Sequence, residues 1–377
     1  MIFSPKQRML NAYRDLENDV IPAAPEFWFF YPAKVLGIGV DEFQRDVPHW
    51  QGMLETFKKF ECEGWGIVAP ATENPHVKVE SRYDRISDEK SRDLQKVFCG
   101  GAVFERSYLY SKTTPFWQEQ NAVKNPADAK LFFDAHINDD VTFDFTDAVR
   151  AHRSVDEYFL LEFDLGLPFF DYFEQFMGFE GAVMYFMDED EGLLEEMAQK
   201  YTAFMIRLTE EAIENTSFES FYIGCSSSCN ALLGPALWRK WDKPYEKAIT
   251  ETVHKHGRLV HNHNHGKIMA TVPDLVEIGF DCVCPFERPP GDVAGKEGLI
   301  KVRELLRDRV TFNGNVHTVR ALINGTPDIV REQVREIKEV FKGSNRLIVG
   351  TGDQVGYETP EENLHAMIEE THKRAAD

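Results

Sequence analysis

A cluster of histidines is the part of the sequence best suited to chemistry. Five of the twelve histidines lie between residues 254 and 265, and three of them alternate with asparagines in the run from His261 through His263 to His265. Alternate side chains of an extended strand point to one side, so these three share a face. Two imidazoles at i and i+2 can bind one metal ion. The alternative is a polar pocket rim of hydrogen-bonded histidines without metal.

A third ligand would have to come from another strand end. Asp353 lies in a glycine-flanked turn after an apolar run, and Cys284 lies in another apolar run as Cys282-Val283-Cys284. A cysteine in a buried apolar strand is usually a small hydrophobic residue, whereas an acid beside glycine can approach a pocket closely. The alternative role of the acid is a helix N-cap or a turn. We therefore predict that His263, His265 and Asp353 are the catalytic and metal-binding residues.

Other polar residues follow further predicted strands and are candidates for binding substrate. Short amides beside glycine suit a ligand, although they also suit a loop that needs positive φ. His261 precedes the histidine pair by two residues, roughly 6.5 Å deeper at a normal strand rise, and is expected on the pocket floor or as a support for a ligand. The predicted substrate-binding residues are His261, Asn313, Asn315, Glu162 and Tyr31.

Short apolar runs separated by helix-period stretches must position these residues. The runs that we interpret as strands are Glu26–Phe30, Gly66–Ala69, Tyr158–Phe163, Phe221–Gly224, Leu259–His263, Asp281–Pro285, Val310–Gly314 and Leu347–Thr351. Predicted helices are Asp188–Asn215, Ala236–Lys255, Pro273–Ile278, Lys296–Arg307, Pro327–Phe341 and Pro360–Lys373. Repeated βα units predict an α/β fold with a single (β/α)8 TIM barrel over residues 1–377, whose site lies at the carboxyl ends of the strands.

Two local patterns refine this barrel. Residues 74–134 do not fit one βα repeat and contain alternating runs, which predicts a β-hairpin excursion on the barrel rim. Thr326-Pro327 and Thr359-Pro360 each place a hydroxyl before a proline, which predicts a capped helix start at both places.

Composition excludes several classes of function. The chain of 377 residues has 42 Lys+Arg against 63 Asp+Glu, a formal charge of −21 that repels nucleic acid and anionic membranes. Apolar stretches fall short of a bilayer span, and six cysteines are too few for a disulfide framework in a chain of this length. We expect a cytoplasmic protein that binds neither nucleic acid nor membrane.

The stretch from Val260 to Met367 resembles the uroporphyrinogen decarboxylase superfamily, in particular its branch of cobalamin-dependent methyltransferases. That branch carries H-x-C-G on the fifth strand, and this chain has His263-Asn264-His265-Gly266. It carries G-C-x-x on the eighth strand followed by T-P-x-E-N, where this chain has Gly352-Asp353 and then Thr359-Pro360-Glu361-Glu362-Asn363. The resemblance implies a TIM barrel and a zinc-dependent methyltransferase that works with a corrinoid.

Two departures from the family pattern modify what the resemblance implies. Decarboxylases of the superfamily begin with an arginine-bearing motif that grips porphyrin carboxylates, whereas residues 25–32 here contain no arginine. Porphyrin decarboxylation is therefore not expected. Thiol-activating members hold zinc with His, Cys and Cys, and both cysteine positions are replaced here, by His265 and Asp353. A nitrogen and oxygen ligand set is more Lewis-acidic and suits an oxygen group better than a thiol.

The resemblance thus implies that the chain moves a methyl group between a small methoxy substrate, as methyl donor or acceptor, and a corrinoid, as in O-demethylase systems. The corrinoid would be supplied by a partner protein, because the sequence has no D-x-H-x-x-G text. One alternative is a metal-dependent lyase, decarboxylase or hydrolase of a small acid, since two histidines and an aspartate also suit iron or manganese. A binding protein without catalysis is the other.

Overall fold

The computed structural model describes residues 3–225, 227 and 232–373. Its strands are β1 Ala23–Ala24, β2 Trp65–Val68, β3 Ala71–Glu73, β4 Val77–Arg85, β5 Lys90–Cys99, β6 Ala102–Ser111, β7 Trp117–Gln120, β8 Thr142–Asp144, β9 Leu160–Asp164, β10 Ser220–Cys225, β11 Leu259–Asn264, β12 Cys282–Cys284, β13 Thr311–Val316 and β14 Leu347–Thr351. Its α-helices are α1 Pro5–Tyr13, α2 Phe30–Leu36, α3 Val40–Asp46, α4 His49–Phe60, α5 Ala129–His136, α6 Thr146–Val155, α7 Phe169–Met177, α8 Phe179–Asp188, α9 Glu191–Asn215, α10 Pro235–Trp241, α11 Lys243–Lys255, α12 Val272–Ile278, α13 Gly295–Leu306, α14 Pro327–Val340 and α15 Glu361–His372. None of these helices is both long and apolar enough to cross a membrane.

Eight strands form one curled parallel sheet of the TIM-barrel type, in the order β1-β14-β13-β12-β11-β10-β9-β2. All pairs are parallel, and the register places His261 beside Cys282 and His263 beside Cys284. Among the described residues no ladder joins β1 to β2. The fully buried Glu63 carboxylate lies at this seam instead, where it accepts the Ala23 N–H at 2.8 Å. The carboxyl ends of these parallel strands therefore meet at one mouth.

Helix α1 closes the opposite end of the sheet. Its residues Met9 and Tyr13 are fully buried and pack in one cluster with Leu160, Cys282 and Ile348, which come from three of the strands. An apolar helix face can fill this end because these strands present buried apolar side chains to it, and burial of such side chains is favourable by about 1.5–3 kcal/mol each. The deep interior is therefore a packed core, and chemistry is restricted to the mouth.

The first predicted strand is wrong, and the other seven each overlap a strand of the sheet. The run Glu26–Phe30 leaves the sheet after β1, and Phe30 already begins α2. Pro25 follows β1 immediately and has no N–H for a ladder. Glu26 N–H then donates to the Thr351 hydroxyl at 3.1 Å rather than to a neighbouring strand. Glu26 therefore lies after the end of β1, at the barrel mouth, and not at the start of a strand as predicted.

The helices differ from the predictions at two points. The predicted helix Ala236–Lys255 is two helices, α10 and α11, with a break at Asp242. Thr326 caps α14 as predicted, because its side chain accepts the Ile329 N–H. Thr359 does not cap α15, since the N-cap is Pro360 and the Thr359 hydroxyl is buried. Pro360 is the N-cap of α15 and not its first helical residue, so the predicted capped start is wrong.

The segment after β2 contains a second, antiparallel sheet in the order β4-β5-β6-β7. Its inner strands carry the buried Val97 and Phe104, and Phe104 packs edge-on against Phe132 of α5. β4 forms one outer edge of this sheet. The predicted long helix corresponds to α9, which begins at Glu191 because the Asp190 side chain accepts the Leu193 N–H.

Candidate active site

The lower half of the site is a hydrogen-bonded line of buried polar side chains inside the barrel. Glu162 of β9 is fully buried; its Oε1 accepts the Ser220 hydroxyl at 2.6 Å, and its Oε2 lies 2.7 Å from His261 Nδ1. His261 Nε2 lies 3.1 Å from Cys284 Sγ on the neighbouring β12. Burial raises the pKa of the Cys284 thiol well above its usual value, so the thiol donates to the imidazole. His261 is thereby fixed from both sides.

The upper half continues this line to the mouth. His263 Nδ1 lies 3.2 Å from Cys284 Sγ, and its Nε2 lies 2.7 Å from His265 Nε2. His265 Nδ1 lies 2.9 Å from Glu287 Oε1, which also accepts the Gly266 N–H at 2.8 Å. Strand alternation brings the two Nε2 atoms together, because β11 ends at Asn264 and His265 follows it directly, two residues after His263.

The two histidines have opposite pKa shifts. Burial, then the charges of His265 and His261, hold the pKa of His263 well below its usual value. Burial also acts to lower the pKa of His265, but the hydrogen bond to Glu287 and the charges of Glu26 and Asp353 raise it to about 9. In the metal-free protein at neutral pH, His265 is therefore an imidazolium that donates to a neutral His263.

Three carboxyl groups surround His265 at the mouth. Burial, followed by repulsion from Asp353, raises the pKa of Glu26 to about 8. Asp353 is exposed to solvent on one side. The surrounding protein still desolvates its carboxyl group, and this raises its pKa. Desolvation acts to raise the pKa of Glu287, but its hydrogen bond to His265 lowers it. Like charges crowd this mouth, which therefore favours a cation or a proton.

Aromatic rings form one wall beside the histidines. The Trp65 ring stands at 89° to the His261 ring with centroids 4.9 Å apart, and it stacks on Tyr222 at 5.4 Å. Asp164 ends β9 on this wall, and burial raises its pKa to about 6. The site thus combines an apolar wall with an acidic mouth. A separate cavity of 840 Å³, at the strand starts, is lined by residues such as Ile21 and Leu347 and lies outside the mouth.

The structure brings some predicted residues together and separates others. Glu162 and His261 lie together below the histidine pair, both fully buried, so Glu162 forms the floor rather than an open wall. Asn313 and Asn315 are buried on β13, and among the described residues Asn313 Nδ2 has no hydrogen-bond partner. Tyr31 lies in α2, where it packs on Phe27 and Phe60 and donates its hydroxyl to Thr359 O. Tyr31 was expected in the pocket because the first strand was predicted at Glu26–Phe30, where the structure instead begins α2.

The residues present suit a divalent metal ion in part. The Nε2 atoms of His263 and His265 face each other at 2.7 Å and would have to separate to share one ion, while each Nδ1 is held by an outer group, Cys284 or Glu287, as is usual for metal-bound histidines. Within the part of the chain that the structure describes, no three His, Cys, Asp or Glu side chains converge as a metal site. The imidazole pair is therefore formed, and the assignment of Asp353 as the third ligand stays a prediction.

Sequence reasoning gave no role to Glu26 or Glu287. Glu287 follows β12 by three residues, which is the position of an acid just past a strand end. Glu26 was hidden by the misplaced first strand, but an acid between Pro25 and an aromatic run is an unusual residue for a buried barrel strand. The acidic residue in this otherwise aromatic run was the signal in the sequence that Glu26 has a role in the site.

Comparisons with known proteins bear on the whole chain. Residues 176–374, just over half of the sequence, match the sequence profile of the uroporphyrinogen decarboxylase (URO-D) family. Among solved structures, a methyltransferase from Methanosarcina mazei superposes over 98% of both chains with a TM-score of 0.65 and 15% identity, which shows a shared fold. A prolidase (44% of each chain, 15% identity, TM-score 0.27) and a dipeptide epimerase from Methylococcus capsulatus (77% of this chain and 85% of the other, 10% identity, TM-score 0.23) are too dissimilar to carry an argument. No curated protein sequence matches the chain.

Proposed function

We propose that this chain, which belongs to the uroporphyrinogen decarboxylase family, is a metal-dependent methyltransferase that moves a methyl group between a small methoxy compound and a corrinoid. The observation that carries the proposal is the convergence of His263 Nε2 and His265 Nε2, 2.7 Å apart, at the carboxyl end of β11. This is the strand end at which the family's methyltransferase branch has its H-x-C-G motif. The fold shared with the M. mazei methyltransferase along 98% of both chains supports the same assignment.

The acidic mouth argues against the decarboxylation for which the family is named. A porphyrinogen carries several carboxylates, and the carboxylates of Glu287 and Asp353 would repel them. Glu26 belongs to the segment at residues 25–32, where the decarboxylases have an arginine-bearing motif and this chain has no arginine. The same repulsion disfavours a small anionic acid, the substrate of the alternative lyase or hydrolase. A neutral methyl ether fits this mouth better.

His263, His265 and Asp353 are the residues that would hold a zinc ion, with Glu26 close to them. A zinc ion bound there would supply Lewis acidity toward the substrate oxygen. Nitrogen and oxygen ligands keep the ion harder than thiolates do, which matches an ether rather than a thiol. Glu287 and Cys284 would fix the two imidazole rings through their Nδ1 atoms, and His261 with Glu162 would hold Cys284 in turn.

Proton supply is the task that the mouth carboxyls can perform. When a methyl ether gives its methyl group to cob(I)alamin, the C–O bond breaks, the Co–C bond forms, and the oxygen leaves as an alkoxide or phenoxide that needs one proton. Glu26 has a pKa of about 8 in the metal-free protein, where it is mostly protonated at neutral pH, and a cation bound nearby would favour release of that proton to the leaving oxygen. The buried Trp65 and Tyr222 rings contact His263 and make this side of the site apolar. The corrinoid itself would arrive on a partner protein.

Methyl transfer to free cob(I)alamin tests this function. Zinc-loaded protein is mixed with cob(I)alamin and a panel of methoxylated aromatics, and methylcobalamin formation is followed by absorbance. We expect turnover with at least one ether and loss of at least 100-fold in His263→Ala, whereas the exposed His76→Ala variant should keep wild-type rates. Absence of transfer by zinc-loaded protein from every methoxy donor, or equal rates in both variants, would refute the proposal.

A further inference from the structure

The outer edge of β4 is a long and unpaired strand edge. β4 spans Val77–Arg85 and pairs with β5 on one side only; no other strand of the described residues pairs with it. Seven of its nine residues are exposed to solvent, and the other two are half-buried. A free edge presents unpaired N–H and C=O groups to any strand of complementary pattern. Natural proteins usually shorten, cover, interrupt or charge such an edge; this one is long and continuous, and its charges alternate in sign.

The side chains of β4 follow a regular pattern on each face of the sheet. Even positions carry charges of alternating sign, in the order Lys78, Glu80, Arg82 and Asp84. Among the odd positions, Val79 and Tyr83 are apolar or aromatic side chains exposed at 45% and 51%, and Ser81 lies between them. Lys78 pairs with Glu80 at 2.7 Å and Arg82 with Asp84 at 2.8 Å along the same strand. These exposed pairs are weak and can exchange partners.

We propose that β4 pairs antiparallel with β4 of a second copy of this chain, about a two-fold axis through Ser81. A two-fold axis perpendicular to the sheet keeps the charged faces of the two copies side by side. In this register Lys78 faces Asp84 of the second copy, and Glu80 faces Arg82. Val79 faces Tyr83 on the other side of the sheet. All nine residues of each strand are then paired, and the two sheets become one of eight strands.

Charge complementarity selects this register over its neighbours. A slip by one pair in one direction centres the axis on Glu80 and places Glu80 against Glu80. A slip in the other direction centres it on Arg82 and places Arg82 against Arg82. Like charges directly opposite one another destabilise a sheet. The pattern is therefore self-complementary about Ser81, which specifies a closed dimer rather than open aggregation.

Sedimentation velocity of the full chain between 1 and 100 μM tests the proposal with a charge swap. We expect the wild type to dimerise, and Glu80→Arg or Arg82→Glu alone to weaken the dimer at least tenfold, because each puts like charges opposite one another. The double variant restores complementarity and should restore the dimer. Lys301→Glu is the control, since Lys301 is an exposed lysine on α13 and lies outside the antiparallel sheet. Circular dichroism checks that each variant is folded.

Cross-linking gives a second, independent measurement. In the proposed register residue 81 meets itself at 4.5–5.5 Å between Cα atoms, within the range that a disulfide bridges. Ser81→Cys should therefore form a covalent dimer on mild oxidation, whereas Lys96→Cys should not. The native cysteines that the structure describes are buried. A wild type that stays monomeric at 100 μM, single variants that dimerise like the wild type, or a Ser81→Cys chain that does not cross-link would each overturn the proposal.

Discussion

Replacing His261 should expose how strongly the buried line of polar groups depends on it. His261→Phe keeps an aromatic ring against Trp65 but removes both nitrogens, so Glu162 Oε2 loses its partner at 2.7 Å and Cys284 loses its acceptor at 3.1 Å. Both Glu162 and His261 are fully buried. A buried hydrogen-bonding group that loses its partner costs about 1–3 kcal/mol, and more where the group is charged. Most of the cost should therefore reside in the Glu162 carboxyl group, which loses its bond to Nδ1.

A double-mutant cycle isolates the interaction energy between His261 and Glu162. Glu162→Gln alone should cost about 1–2 kcal/mol, since a neutral amide can still bond to Ser220 and His261. Added to His261→Phe, it should stabilise the protein, giving a coupling energy of more than about 1 kcal/mol in urea unfolding. His261→Phe should keep the zinc content of the wild type, and His265→Gln should lose it. Additive free energies, or equal zinc loss in both variants, would refute the supporting role of His261.

Three further outcomes are expected. The raised pKa of His265, about 9, stabilises the metal-free fold fully below pH 6.5, and this contribution is lost as the pH rises through 9; urea midpoints at pH 6 and 9.5 should differ less in His265→Gln than in the wild type. Glu63→Gln should cost about 3–5 kcal/mol because Arg8 and His372 lose their buried carboxylate, against about 0.5 kcal/mol or less for the neighbouring exposed Glu61→Gln, both by denaturant unfolding. Gly350→Ala should cost about 1–3 kcal/mol in the same assay, because the new Cβ would lie 2.2 Å from Asn313 Oδ1.

The sequence predicts the parallel strands well where the apolar runs are continuous and bounded. Leu347–Thr351 coincides with β14, and Leu259–His263 misses β11 by one residue. Buried strands read as unbroken apolar runs because helices cover their outer face and the barrel interior covers the other. The first strand fails because only two residues pair there, before Pro25, and two alanines carry little signal. Its misplacement also explains the expectation for Tyr31.

The candidate site is predictable only as far as strand alternation reaches. His263 and His265 meet because they lie two residues apart, at the end of β11 and just past it, and this spacing is visible in the sequence. The partners Glu162, Cys284 and Glu287 come from other strands or the loops that follow them, so their contacts depend on register and loop path. Spacing along the chain carries no information on that register. The position of Glu26 at the mouth depends on where β1 ends and on the path of the chain at Pro25, and neither is evident from the sequence.

X-ray absorption at the zinc edge of the metal-loaded protein tests most directly the claim that a nitrogen and oxygen centre has replaced the family's thiolates. The account predicts two imidazole ligands and light oxygen scatterers, with no sulfur shell at about 2.3 Å. Asp353→Asn should lower the zinc affinity while the two imidazole ligands remain. A sulfur shell would place Cys284 on the metal instead of Asp353, and it would contradict the inference that the site acts on an oxygen-bound methyl group.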